Sequence, residues 1–315
     1  MEQFLSALPA TLIQGLIYAL ISLGVYITYS ILDFPDLGVD GTFPLGAAVT
    51  AVLLTKGVSP WLTLPIAMGV GALAGLFTGF IHVRLKVRDL LAGIITMTAL
   101  FSINLQIAGS NLTIERATDT IFSSRAVVAL CGDMTLTGRK ILVSLILVIA
   151  VKLGMDAYFR TKSGLLLRAV GDNASLVTTL AKDRGRMKIL GLAISNALVA
   201  LAGCIVCHEN RSFSATMGTG QLVYGLAAVI IGISLAHAYS GSMERLTSCR
   251  KGILRVLTHP AGTTAVIVGS ILYKTCIQAA MSMGVPANMM KLVTALLFLL
   301  VLVLSGRKGE EIIRA

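Results

Sequence analysis

From residue 8 to residue 32 the chain carries no charged side chain, and comparable apolar stretches recur almost to its end. A run of about 20 apolar residues can cross hydrocarbon as a helix, because a helix satisfies its own backbone N–H and C=O groups where water cannot. Allowing shorter spans beside broken elements, the runs predict helices near 8–30, 44–55, 61–82, 90–109, 141–159, 188–208, 221–239, 263–284 and 288–305. The expected fold class is therefore all-α, a polytopic membrane protein of about nine transmembrane helices, some of them short or broken. Hydrophobic residues make up 56% of the chain, charged residues 13%, and mean hydropathy is +0.86. No hydrophilic block is long enough to fold around a core of its own, so residues 1–315 are expected to form one transmembrane domain. The first apolar run is preceded only by Glu2 and lacks a basic leader, which predicts that it stays as the first span.

The formal net charge is +11. Its placement points to membrane orientation and away from nucleic acid. Arg84, Lys86 and Arg88 share one connection, and seven Lys and Arg residues between Arg160 and Lys188 fill another. Arg307, Lys308 and Arg314 lie in the tail. With the spans as drawn, all fall on one side, together with Arg245, Arg250, Lys251 and Arg255. By the positive-inside bias that side is cytoplasmic, which puts the N-terminus outside, the C-terminus inside, the 160–188 loop in the cytoplasm and the 110–139 loop outside. The Thr, Ile and Val of the outer loop predict a short external hairpin.

One stretch breaks the apolar rhythm. "ILDFPDLGVDGTFPLGAAV", residues 31–49, sets Asp33, Asp36 and Asp40 among two prolines and three glycines. Irregular backbone at membrane depth must be buried in protein or face water, so this segment is expected to line a path, with Pro44 to Leu54 as a half-helix. The aspartates would cap or brace the break by accepting bonds from freed N–H groups; a plain cytoplasmic loop with Asp40 or Thr42 as a cap is the simpler reading. Asn104 and Asn196 are polar positions inside spans, suited to path lining or to interhelical bonding. Lys274 sits near the middle of a span, where it can pair with one of the aspartates, meet a substrate carboxylate, or reach along a tilted helix to the interface.

Gly71, Gly75 and Gly79 repeat every four residues and predict a close helix crossing. "CIVCH", Cys204 to His208, matches the spacing of covalent haem attachment. It lies near the outer end of a predicted span, where two cysteines three residues apart serve as small apolar side chains, so no cofactor is expected. The four histidines are scattered without metal-ligand spacing.

In the basic loop, "DNASLVTTLA" predicts a short helix capped by Asp172 or Asn173 and suited to a groove on a partner protein. Four stretches then carry a resemblance: "RAVGDNASLVTTLAKDRGRMKILGLAISNALVALAG", "LLAGIITMTALFSINLQIAG", "ILDFPDLGVDGTFPLGAAV" and "MGTGQLVYGLAAVIIG". The chain resembles, over nearly its whole length, the permease subunits of bacterial ABC importers of the branched-chain amino acid (LivH/LivM) and ribose-permease superfamily, and most of all the tryptophan/tyrosine type.

That resemblance implies a subunit of the bacterial inner membrane that works as a pair, a homodimer by preference. Two ATP-binding cassette ATPase subunits would sit on its cytoplasmic face, and an extracytoplasmic substrate-binding protein would deliver an amino acid, aromatic or branched-chain. It implies that the 171–182 segment, with Gly171, Asp172, Asn173, Leu176, Val177 and Leu180, is the coupling helix, and that residues 31–45 lie beside the path. The chain has no phosphate-binding loop, so ATP hydrolysis would belong to a separate protein. The alternative is an ion-coupled secondary transporter, with Asp33, Asp36, Asp40 and Lys274 as coupling groups. A membrane-embedded enzyme would need paired catalytic groups at one depth, which the sequence does not offer.

Overall fold

The computed structural model describes residues 2–124, 127–129, 134–172, 183–246, 262–286 and 289–314. Each predicted span corresponds to a helix. In chain order they are α1 (Glu2–Val25), α2 (Val39–Thr55), α3 (Pro60–Val83), α4 (Asp89–Ala108), α5 (Leu136–Arg160), the short α6 (Lys162–Asp172), α7 (Arg184–Asn210), α8 (Gln221–Leu246), α9 (Gly262–Ser282) and α10 (Met290–Arg314). Among the described residues six helices are long and apolar enough to cross a membrane. Three further apolar segments, Val39–Thr55, Gln221–Ala236 and Lys291–Val303, are shorter.

Local chemistry sets several boundaries. Pro60 opens α3 at a position whose N–H has no helical acceptor to lose. Thr135 accepts from the Gly138 N–H to start α5, and the Asp183 carboxylate accepts from the Gly185 and Arg186 N–H groups to start α7.

α7 is the axis of the fold. Every residue from Ser195 to His208 is buried, with α1, α2 and α3 packed around it. The predicted glycine stripe faces it: a methyl group on Gly71 would meet Asn196 O and Ala200, one on Gly75 would meet the Leu192 carbonyl, and one on Gly79 would meet Ile189. α2 approaches from another side in the same way, Gly46 against the backbone of Ala200 and Gly203 of α7 against the Phe43 carbonyl. With no Cβ in the way, the backbones close to distances at which dispersion contacts hold helices together in lipid, where burial from water supplies no drive. Away from this seam, α4, α5 and α10 expose Ile95, Ile103, Ile146, Leu153, Leu296 and Leu299, an apolar surface matched to hydrocarbon.

Two expectations are corrected. α2 starts at Val39, not at Pro44: the missing Pro44 N–H frees only the Asp40 carbonyl, and the glycine contacts with α7 hold the helix together through the proline. The outer loop forms no hairpin of its own among the described residues. Its strand β1 (Asn111–Thr113) pairs antiparallel with β2 (Ser212–Ser214), which follows α7, with Leu112 opposite Phe213. Strand propensity marks a segment but not its partner, and here Arg211 fixes the partner by donating to the carbonyls of Glu115, Arg116 and Thr118.

The seam makes opposite predictions for two glycines of α3. Gly75→Leu is expected to destabilise by about 3 kcal/mol, because the side chain must displace the α7 backbone. Gly69→Ala, with nothing within 4 Å of the added carbon, is expected to be neutral or stabilising by up to about 1 kcal/mol. Thermal unfolding midpoints of the detergent-purified proteins compare them, and equal midpoints would contradict the packing described.

Candidate translocation site

The break begins before α1 has ended. Tyr26–Ile31 forms a widened turn in which the Leu32 N–H donates to Ile27 O at 3.0 Å, one residue further back than in an α-helix. Asp33 follows with φ +50°, a left-handed conformation that stops the helix, and its side chain is exposed. Asp33 therefore stands apart from the other two aspartates.

Asp36 is fully buried. Its Oδ1 accepts from the Gly38 N–H at 2.8 Å and its Oδ2 from Asn196 Nδ2 at 2.7 Å. The second Nδ2 proton of Asn196 goes to Leu192 O at 3.0 Å, and Asn196 Oδ1 lies 2.8 Å from the Thr42 hydroxyl, whose one proton can reach either it or Gly38 O at 3.0 Å. No cation pairs with Asp36 among the described residues. The carboxylate is balanced by hydrogen bonds and by the N-terminal end of α2, which begins three residues later. Asn196 lies near the middle of the 27-residue α7, so the break sits deep within the bundle.

Asp40 does different work. Its Oδ2 accepts from the Gly220 N–H at 2.9 Å and its Oδ1 from the Leu222 N–H at 2.8 Å. It thus caps α8, a helix 180 residues away in sequence, and not the helix that carries it. Asn104 of α4 donates to Gly41 O at 3.1 Å, while its Oδ1, shut from water, has no partner. A buried acceptor in that state costs about 1–3 kcal/mol. Asp40, Asn104, Thr98, Thr216, Thr219 and Phe101 are among the residues that line a cavity of about 340 Å³.

Lys274 is not joined to the aspartates. It forms no ion pair among the described residues and lies over the Tyr18 ring at 4.6 Å and the Tyr224 ring at 5.9 Å, a cation–π arrangement. With Thr219, Gln221 and Lys291 it helps line a second cavity, of about 480 Å³. Thr219 borders both cavities, so the loop clamped by Asp40 separates them.

Gly171, at the end of α6, lies against the Ile31 carbonyl so closely that a methyl group there would overlap it. Asn173, Leu176, Val177 and Leu180 of the expected coupling helix fall outside the described residues, as do 247–261 with Arg250, Lys251 and Arg255. In α7, Cys204 and Cys207 are buried free thiols, and His208 Nε2 is 2.9 Å from Thr63 Oγ1. Among the described residues no three His, Cys, Asp or Glu side chains are grouped to hold a metal ion.

Sequence reasoning marked Asp36, Asp40, Thr42 and Asn104 but not the partners that give them roles. Asn196 was legible only as a polar position inside a span. The Gly220 and Leu222 amides carry no sequence signal at all.

The family model described as branched-chain amino acid transport system / permease component matches residues 8–302. The chain is 37% identical over 296 residues to the tyrosine transport system permease protein of Clostridioides difficile, covering 94% of this chain and 90% of that one. It is 28% identical over 232 residues to a Methanocaldococcus jannaschii protein named "Probable branched-chain amino acid transport permease protein LivH", covering 71% and 73%. Over 223 residues it is 27% identical to the ribose import permease protein of Haemophilus influenzae, covering 70% and 66%. No solved structure matches the chain.

The Asp36–Asn196 bond predicts strong coupling. Asp36→Ala leaves one of the two Asn196 Nδ2 protons and the Gly38 N–H unpartnered and is expected to cost about 3 kcal/mol. A double-mutant cycle with Asn196→Ala, read by thermal or denaturant unfolding, should return an interaction energy of about 1–3 kcal/mol. Simple additivity would mean that the bond does not hold the break.

Proposed function

The chain belongs to the family of branched-chain amino acid transport system permease components, and from that premise we propose that it forms the translocation path of an importer for an amino acid. It is a multi-pass membrane protein and an ABC permease subunit, and subunits of this family are not themselves enzymes. The family implies an ATPase and a substrate-binding protein as partners. In the proposed assembly two copies of the permease pair, the N-terminus lies outside, the C-terminus and the 160–188 loop face the cytoplasm, and the 110–139 loop faces the binding protein. The whole chain works as one transmembrane domain. An aromatic amino acid is the proposed cargo, a reading supported by the name of the Clostridioides difficile relative.

One observation supports this mechanism above the rest: α6 ends against the break. Gly171 touches the Ile31 carbonyl, and Leu167 and Leu32 both pack against Gly191 of α7. In the proposed cycle the ATPase docks on 171–182, through Asn173, Leu176, Val177 and Leu180, and its closure on ATP moves α6. The displacement reaches Ile31 by direct contact and shifts the break, where Asp36 and Thr42 hold one side to α7 and Asp40 holds the other to α8. A ligand or partner drives such a change only through different contacts in the two states, and docking on the loop supplies that difference. Asp36 and Thr42 act as positioning groups for the path, while Asp40, Asn104 and Lys274 border the cavities through which it runs.

Co-purification with the ATPase tests the reading. Changing Leu176, Val177 and Leu180 together to Asp is expected to lower retained ATPase about tenfold or more while the permease stays folded. Retention equal to wild type would move the docking surface elsewhere. A wild-type permease that binds no ATPase and transports on an ion gradient alone would replace the importer with a secondary transporter.

A further inference from the structure

The cavity at the N-terminal end of α2 has a chemistry that the importer reading leaves unspecified. Its polar lining offers hydrogen-bond acceptors. Asn104 is fully buried, spends its Nδ2 on Gly41 O, and leaves Oδ1 without a donor. Asp40 carries a carboxylate held, among the described residues, by the backbone amides at Gly220, Gln221 and Leu222, with no Lys or Arg paired to it. The Thr98 hydroxyl is already donated to Ile94 O, which leaves its oxygen free only to accept. No cationic side chain lines this cavity, and the two lysines nearby belong to the neighbouring one beyond Thr219. Thr219 donates its hydroxyl to Thr216 O, the Thr216 hydroxyl shares a hydrogen bond with Ser214 in which either can donate, and Met97, Phe101, Pro44 and Ala215 supply the apolar wall.

An acceptor-lined, net-negative recess with an apolar wall is complementary to a positively charged donor on an apolar body. We propose that this cavity receives the α-ammonium group of the amino acid being moved, with Asn104 Oδ1 as the hydrogen-bond acceptor and Asp40 as the counter-charge, while Phe101 and Met97 lie along the side chain. The assignment rests on the importer reading, since it takes the occupant to be cargo. Asp40 then has two tasks at one place. The carboxylate that holds the start of α8 also faces the ligand, so the ligand's charge bears on the contact that joins α2 to α8.

The test uses the full-length permease in lipid nanodiscs and three probes: L-tyrosine, tyramine, which keeps the ammonium and lacks the carboxylate, and 3-(4-hydroxyphenyl)propionate, which lacks the ammonium. Saturation-transfer NMR suits the weak affinities expected of a transit site. Tyrosine and tyramine should bind and the propionate should not. Asn104→Leu should weaken tyrosine and tyramine about tenfold, the scale of one lost charge-assisted bond. Because that variant also loses the bond to Gly41 and can fail to fold, Asn104→Asp, which loses the same bond, is measured beside it as the matched control, with the unfolding midpoint of both. That change keeps an acceptor oxygen and adds negative charge, so tyramine should bind at least as tightly as to wild type. Equal binding of all three probes, or dependence on the phenol instead of the amine, overturns the assignment. So does saturation of the site by sodium alone.

ATP-driven tyrosine uptake by the complete complex separates the two ideas. If wild type and Asn104→Leu transport with the same KM, the ammonium site is wrong and the importer stands. If wild type binds tyramine but shows no ATP-dependent uptake of any amino acid, the importer reading fails and the assignment of this cavity to cargo fails with it.

Discussion

A carboxylate sealed deep within a membrane-spanning bundle is tolerated only when the surrounding groups are built to receive it, and Asp36 imposes that condition here. Desolvating a carboxylate costs several kcal/mol unless donors are already in place. The donors are a backbone N–H at the start of α2 and the side chain of Asn196 in the most buried helix of the fold. Other features follow from keeping those two in register. α7 must run beside the break, α2 must begin there, and the glycines at 46, 71 and 75 must let the backbones close up around the pair.

The result is a fold with a firm part and a jointed part. α2, α3 and α7 meet along seams where glycines bring backbone close to backbone, which leaves little room for one to slide past another. α1 ends in a widened turn and a left-handed residue, a geometry that can lengthen or tighten without breaking a regular ladder. α6 is set against that turn as well as against α7, so one of its contacts with the core arrives where the core is least regular.

Much of this was legible beforehand for a plain reason. Apolar runs and a four-residue glycine spacing are local signals, and each forecast a helix or a crossing that the structure contains. The break was visible through its prolines and glycines. Its inner geometry was not. Pro44 looked like a helix start because only its own backbone limits were counted, whereas packing on α7 carries the helix five residues further back. The pairing of β1 with β2, the bond from Asp36 to Asn196 and the reach of Asp40 to Gly220 join residues a hundred or more positions apart. No local pattern encodes such partners. For Lys274 the contacts were not legible: two tyrosine faces lie against it, and the acid that acts on it is Glu209 of α7, beyond ion-pair distance, and not an aspartate of the break.

Asp40 grips the loop before α8 by its amides and not by its side chains. A main-chain grip is indifferent to what those residues display, so Thr216, Thr219 and Gln221, which line the two cavities, can be exchanged while the loop stays held in place. The fold thereby separates what keeps the loop anchored from what it presents to the two cavities, and point changes on this loop can alter their lining without any step in which the bundle has to be rebuilt.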